Sequence, residues 1–128
     1  MITIKTIPHS EQNYDTVGDY TFATNGDIEI RVSHMGNLKY EFLIALHELI
    51  EAILTKDRGI VDADIVAFDK RFEEMRSSFP DMVGDAEPGF QWNAPYLEEH
   101  RFATSIERQV AIELKVEWKD YEEAVNKL

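Results

Sequence analysis

The 128-residue chain carries 13 Lys+Arg against 25 Asp+Glu, a formal net charge of −12 with neutral histidines, and 44% of its residues are apolar. That is enough apolar material for one folded domain over residues 1–128 and too much for a disordered acidic tail, and so acidic a surface excludes ordinary nucleic-acid and anionic-membrane partners. The absence of cysteine excludes disulfides, cysteine-type zinc fingers and thiol nucleophiles; with no secretory pattern in MITIKTIPHS and no clean apolar run of about 20 residues, a cytoplasmic protein is expected.

Ile2 to Ile7 is β-branched at nearly every position and stops at Pro8, which predicts a strand. His9 to Gly18 is polar and without period, a loop. In Thr21 to Ser33, Asn25-Gly26 separates two alternating runs, the second with Ile28, Ile30 and Val32 on one side and Asp27, Glu29 and Arg31 on the other. This spacing predicts a hairpin, which the first strand can join to make a small antiparallel sheet of about three strands. Asn37 is placed to cap a helix that runs from Leu38 through Lys56 and ends near Arg58-Gly59. This helix is apolar almost all round, with Phe42, Leu46, Leu49 and Ile53 on one side and Leu43, Ile44, Ile50 and Leu54 on the other, which predicts the central, most buried helix. A second helix, about Asp62 to Ser77, sets Ile65, Phe68, Phe72 and Met75 at helical spacing. Phe79 to Pro95, with three prolines and two glycines, predicts a long loop of a kind that is usually functional or mobile. Helices over about Tyr96 to Leu114 and Trp118 to Lys127 complete an α+β chain, an N-terminal sheet followed by three to four helices.

The chemistry concentrates in His47-Glu48-Leu49-Ile50-Glu51 of the central helix. Residues i and i+4 share a helix face, so His47 and Glu51 point together, and an imidazole nitrogen and a carboxylate oxygen are both zinc donors at about 2 Å. Glu48 lies about 100° round the helix from His47, where zinc peptidases of the H-E-x-x-H type keep their general base. Three ionisable groups in so apolar a helix are costly to bury unless paired or metal-bound. The alternative is a hydrogen-bonded His47–Glu51 pair with Glu48 reaching solvent.

In the third helix His100, Thr104, Glu107 and Ala111 form one stripe flanked by Leu97, Ala103, Val110 and Leu114. Packed face to face with the central helix, this stripe brings His100 to His47 and Glu51. Three ligands plus water would make an open divalent-metal site, zinc first and iron or manganese next. Glu107, about 10 Å further along the axis, is expected to orient a ligand from outside the coordination shell or to pair with an arginine. The alternative for His100 is a partly exposed helix-start residue beside Glu98 and Glu99. His9 and His34 read as surface residues, and Asp81, Asp85 and Glu87 as solvated loop carboxylates that lack calcium-loop spacing. Trp92, Trp118 and Tyr121 read as packing anchors. Ser33, Ser77, Ser78 and Ser105 have no neighbouring His-plus-acid context, and the glycines form no phosphate-binding loop.

The phrases TVGDY, NGDIEIRVS, YEFLIALHELIEAIL, EPG, APY, EHRFATSIERQVA and VEWKDYE span nearly the whole chain. Together they resemble a family of small phage- and prophage-encoded proteins, which implies action inside a bacterial host. The helix carrying His47, Glu48 and Glu51 is similar to the active-site helix of zincin metallopeptidases, which implies a ligand role for His47 and a general-base role for Glu48. It departs from that pattern at Glu51, where zincins carry histidine, and no glycine-marked third-ligand motif follows. Two functions are compatible with these features. One is a metal-dependent hydrolase in which His47, Glu51 and His100 hold the ion and Glu48 takes a proton from bound water, with an edge strand to hold an extended peptide substrate. The other is a non-enzymatic phage accessory protein whose acidic surface meets a host protein, the His/Glu cluster being structural.

Overall fold

Alternating β-branched and aromatic residues build three strands, β1 (Ile2–Ile7), β2 (Gly18–Phe22) and β3 (Ile28–Ser33), in a computed structural model that describes residues 1–128. The hairpin predicted at Asn25-Gly26 forms; only Gly26 takes positive φ (91°), and its amide donates to the Ala23 carbonyl. It pairs Phe22 with Ile28, Tyr20 with Ile30 and Gly18 with Val32. β1 lies on the other side of β3, giving the order β1-β3-β2, and runs parallel to it with Ile2 opposite Ile28 and Ile4 opposite Ile30. The sheet is therefore mixed and not wholly antiparallel. β3 is inserted between two strands of opposite direction, and a strand antiparallel to one of them is parallel to the other.

Five helices follow: α1 (Leu38–Asp57), α2 (Asp62–Ser78), the single turn α3 (Pro80–Val83), α4 (Leu97–Glu113) and α5 (Trp118–Asn126). Asn37 caps α1 by accepting the Tyr40 amide at 3.2 Å, which satisfies one of the free donors of the first turn. The inward row of the sheet, Ile28, Ile30 and Val32, is buried beneath α1, which packs on β2 and β3 and along α4. The close approach to β2 requires glycine at position 18, since a Cβ there would stand 2.7 Å from Ile44 Cγ2 and 2.8 Å from Glu48 Cγ.

α1 is central, with Leu43, Ile44, His47, Glu51, Ala52 and Thr55 buried on one face. Its back is open, and Phe42 and Ile53 stay 46% and 43% exposed. The sheet and α4 both lie against the other side, so Phe42 and Ile53 stay in solvent while Leu46 and Leu49 between them are half-buried. In α2 Ile65 and Phe68 are buried while Met75 is exposed. The segment from Phe79 to Pro95 is structured: Pro80 opens α3 and Pro88 opens a 3-10 turn (Pro88–Phe90), first positions where the missing proline amide costs nothing. α5 closes the fold through buried Tyr121, whose ring lies 5.3 Å from that of Tyr40. No helix is long and apolar enough to cross a membrane.

The two sides of α1 differ measurably. Leu43→Ala, at a site with no exposure, should cost about 2–5 kcal/mol, and Phe42→Ala less than about 1 kcal/mol. Equal losses in chemical denaturation would contradict the open back.

Candidate metal centre

Packing of α1 against α4 brings His47, Glu51 and His100 into one buried group able to hold a metal ion. His47 Nε2 is 3.1 Å from Glu51 Oε2 and 3.1 Å from His100 Nδ1, and His100 Nδ1 is 2.9 Å from Glu51 Oε2. A triangle of that size lets one ion touch all three corners at ligand distances of about 2.0–2.2 Å.

The outer nitrogens decide what the inner ones can do. His47 Nδ1 donates to Glu107 Oε1 at 2.8 Å and His100 Nε2 donates to Glu87 Oε2 at 2.9 Å. Because an ionised carboxylate only accepts, this network assigns the proton of each neutral ring to its outer nitrogen. The inner Nε2 of His47 and Nδ1 of His100 then present lone pairs to each other and to the Glu51 carboxylate. Three acceptors at this separation repel unless a proton or a cation lies among them, and carboxylate-backed histidines are the usual support of metal sites.

Each carboxylate is held in turn. Glu51 Oε1 accepts from Tyr20 Oη of β2 at 3.0 Å, leaving Oε2 for the centre, and Glu107 Oε2 accepts from Tyr121 Oη of α5 at 2.6 Å. Gly89 lies flat on the His100 ring, where a Cβ would come within 2.4 Å of Cγ, and the Phe90 ring meets the imidazole edge-on at 4.6 Å. Beside the centre, Asp69 of α2 accepts from Tyr14 at 2.9 Å and from Tyr96. A cavity of about 630 Å³ opens onto the group, with Tyr14, Asp69, Tyr96 and Thr104 in its wall; Thr104 Oγ1 is buried there without a hydrogen-bond partner.

Burial pulls His100 down, but hydrogen bonds to Glu51 and Glu87 outweigh it and push the imidazole up to about 9. His47 is raised well above its ordinary value because hydrogen bonds to Glu107 and Glu51 overcome the same burial. Burial would raise Glu51, yet the two histidines hold it down at about 2. Glu48 leans toward β2, where a Cβ on Gly18 would be 3.0 Å from its Oε1. Burial first and the Glu51 charge second raise Glu48 well above the carboxylate range, and no hydrogen bond offsets them. Burial also raises Asp69 to about 7 and Asp19 to about 6.

The structure thus places His47, Glu51 and His100 together, puts Glu107 behind His47 as an orienting group, and sets Glu48 on the neighbouring face outside the triangle. Glu87 keeps about half of its side chain exposed, as a solvated loop carboxylate should, but the turn at Pro88 also brings it onto His100. Trp92 anchors nothing and is 86% exposed, whereas Trp118 packs under Arg108 and against Tyr121. His34 is exposed, but His9 is held between Ser33 Oγ at 2.9 Å and Asp15 Oδ1 at 3.2 Å. That is the order of a serine triad, created by the fold and not by spacing. Ser33 has no exposed surface and also accepts from Gln12 at 3.0 Å, so the arrangement pins the 8–17 connection to β3 and offers no nucleophile. Tyr20 was legible in principle, since alternation along β2 turns it inward with Phe22; nothing in the sequence pairs Glu87 with His100. Comparison with protein-family models, curated proteins and solved structures finds no match to this chain.

Raised values at His47, His100, Glu48, Asp19 and Asp69 mean that the metal-free folded state binds more protons than the unfolded chain, so stability must fall as pH rises. The histidine contribution is complete below the ordinary imidazole value and is lost as pH passes about 9. The carboxyl contribution is lost from the ordinary carboxylate range up through about 6 and about 7. Glu51 has the opposite sign, but only in acid, where its contribution disappears as pH falls toward about 2. Calorimetry on metal-free protein should show Tm falling from about pH 5 to about pH 9, and added zinc should flatten the fall by displacing the protons. A Tm that rises across this window would contradict the protonated cluster.

Proposed function

We propose that this protein is a metal-dependent hydrolase in which His47, Glu51 and His100 hold one divalent ion, zinc in the first instance, and Glu48 is the general base. One observation carries the reading: two histidines, each backed by a carboxylate on its far nitrogen, aim their lone pairs at a third acceptor within 3.1 Å. A hydrogen-bonded core pair needs no such backing on both rings. Two histidines and one carboxylate form the donor set of open hydrolytic zinc sites, and the same set suits iron and manganese. The adjoining cavity leaves room for water and substrate at the remaining positions.

His47, Glu51 and His100 would hold the ion, which when bound would supply Lewis acidity toward a water and a carbonyl oxygen. Glu48, next to His47 on α1, would take a proton from the attacking water as the water oxygen forms the new bond to the carbonyl carbon. It then passes the proton to the departing nitrogen as the C–N bond breaks. Burial and the neighbouring Glu51 charge raise Glu48 above the ordinary carboxylate range, the direction that favours a general base. The buried Thr104 hydroxyl and the Asp69–Tyr14–Tyr96 group supply further polar contacts in the cavity wall.

Elemental mass spectrometry on tag-free protein purified without chelator should find about one equivalent of metal, lost in both His47→Ala and His100→Ala. Glu48→Gln should keep the ion and lower peptide-bond turnover by about 10²–10⁴-fold; unchanged turnover would remove Glu48 as base. Unfolding on chelation would reassign the ion as a structural staple between α1 and α4.

A further inference from the structure

The segment between Phe79 and Trp92 has two sides with different tasks. Its inner side supports the centre, through Glu87 on His100 Nε2 and Gly89 against the His100 ring. Its outer side puts Phe79, Met82 and Trp92 into solvent, at 56%, 84% and 86% exposure, while the Phe90 ring packs edge-on against His100 and is half-exposed. Large apolar side chains gathered in this way on one surface segment mark a place that another molecule covers.

The segment is also anchored. Arg76 of α2 donates Nη1 to the Gly84 carbonyl at 2.6 Å and Nη2 to the Ala86 carbonyl, while its Nε pairs with Glu73 at 3.0 Å. Gly84 to Gly89 therefore form a fixed rim of the cavity that leads to His47, Glu51 and His100.

Charge identifies what fits this rim. Asp81 and Asp85 lie in the segment itself, and the cavity behind it carries Asp15, Glu122 and Glu123 against Lys119, besides Glu73, which is paired with Arg76. Arg76 is already neutralised by Glu73. With a chain charge of −12, the field at the mouth attracts cations and repels phosphate-bearing surfaces.

We propose that Phe79, Met82 and Trp92 form a docking rim for a polypeptide segment in which lysine or arginine alternates with large apolar side chains. The apolar residues cover the rim and the basic ones enter the acidic cavity. The proposal names the substrate class of the hydrolase; it rests on that reading for the fate of the bound peptide, and the binding stands without it.

The test uses Glu48→Gln protein with a fluorescein-labelled peptide of Lys, Leu and Phe, a matched peptide with Glu for Lys, and another with Ser for Leu and Phe, followed by anisotropy. The Lys/Leu/Phe peptide should bind best, weaken with salt, and shift the fluorescence of Trp92. Adding Trp92→Ala and Met82→Ala, both at exposed positions, should weaken binding at least about tenfold with Tm unchanged. Equal binding of the Glu peptide, or undiminished binding by the double variant, overturns the proposal. So would Trp92-dependent binding to vesicles of anionic lipid, which would make the rim a membrane contact. Peptide that binds but is not cleaved by metal-loaded wild-type protein supports the rim and sinks the hydrolase. Cleavage that is indifferent to Trp92→Ala and Met82→Ala does the reverse.

Discussion

The centre is built on the repulsion that the inner atoms of His47, Glu51 and His100 would feel with no proton or cation among them. Their ligand atoms lie 2.9–3.1 Å apart in a buried space, where solvent cannot screen lone pair from lone pair. The cost of that approach is met by partners drawn from nearly every element: Tyr20 from β2, Glu87 from the turn after α3, Glu107 from α4 and Tyr121 from α5. Such a constellation is expensive as a packing device, since apolar residues would fill the same volume without unmet polar groups. It is economical as a cation site, where the inner acceptors are the useful atoms.

Tyrosine is the recurring counterpart of the buried acids. Tyr14 and Tyr96 donate to Asp69, Tyr20 to Glu51 and Tyr121 to Glu107. A phenol suits this position because its ring joins the core while its hydroxyl stabilises a carboxylate without adding a second charge. Burial and the neighbouring carboxylates raise all four phenols far above their ordinary range, so they remain donors at any physiological pH. The acids Asp69, Glu51 and Glu107 are thereby held by phenols, and the positive charge of a bound ion would be matched by groups already oriented. Gly18 and Gly89 serve the same centre by absence of bulk, one letting Glu48 lie against β2 and the other letting a turn close over His100.

Much of the fold was legible because it rests on local rules. The period of two in Ile28, Ile30 and Val32, the Asn25-Gly26 turn and the Asn37 cap each act over a few residues, and each formed where the pattern placed it. The i, i+4 relation of His47 and Glu51 is equally local, and the stripe through His100 and Glu107 needed only one further assumption, that two apolar helix faces meet. What was misjudged depends on distant neighbours. β1 pairs parallel to β3 because of where the hairpin inserts, and Phe42 and Ile53 of α1 stay exposed. Trp92 has the composition of an anchor and the environment of a surface residue.

The sequence by itself determined the α+β order of elements, the acidic character, and a helix that presents histidine and glutamate on one face. Backbone periodicity and charge are properties of short stretches and of totals, so they survive without coordinates. Only the tertiary structure decided that Glu107 turns to His47 while Glu87 turns to His100, that Tyr20 and Tyr121 hold the carboxylates, and that His9, Ser33 and Asp15 align without forming a reactive serine. These are contacts between residues far apart in the chain, fixed by the angle and register of α1 against α4 and by the path of the turns between helices. No periodicity encodes them, because each depends on directions that exist only once the layers have packed.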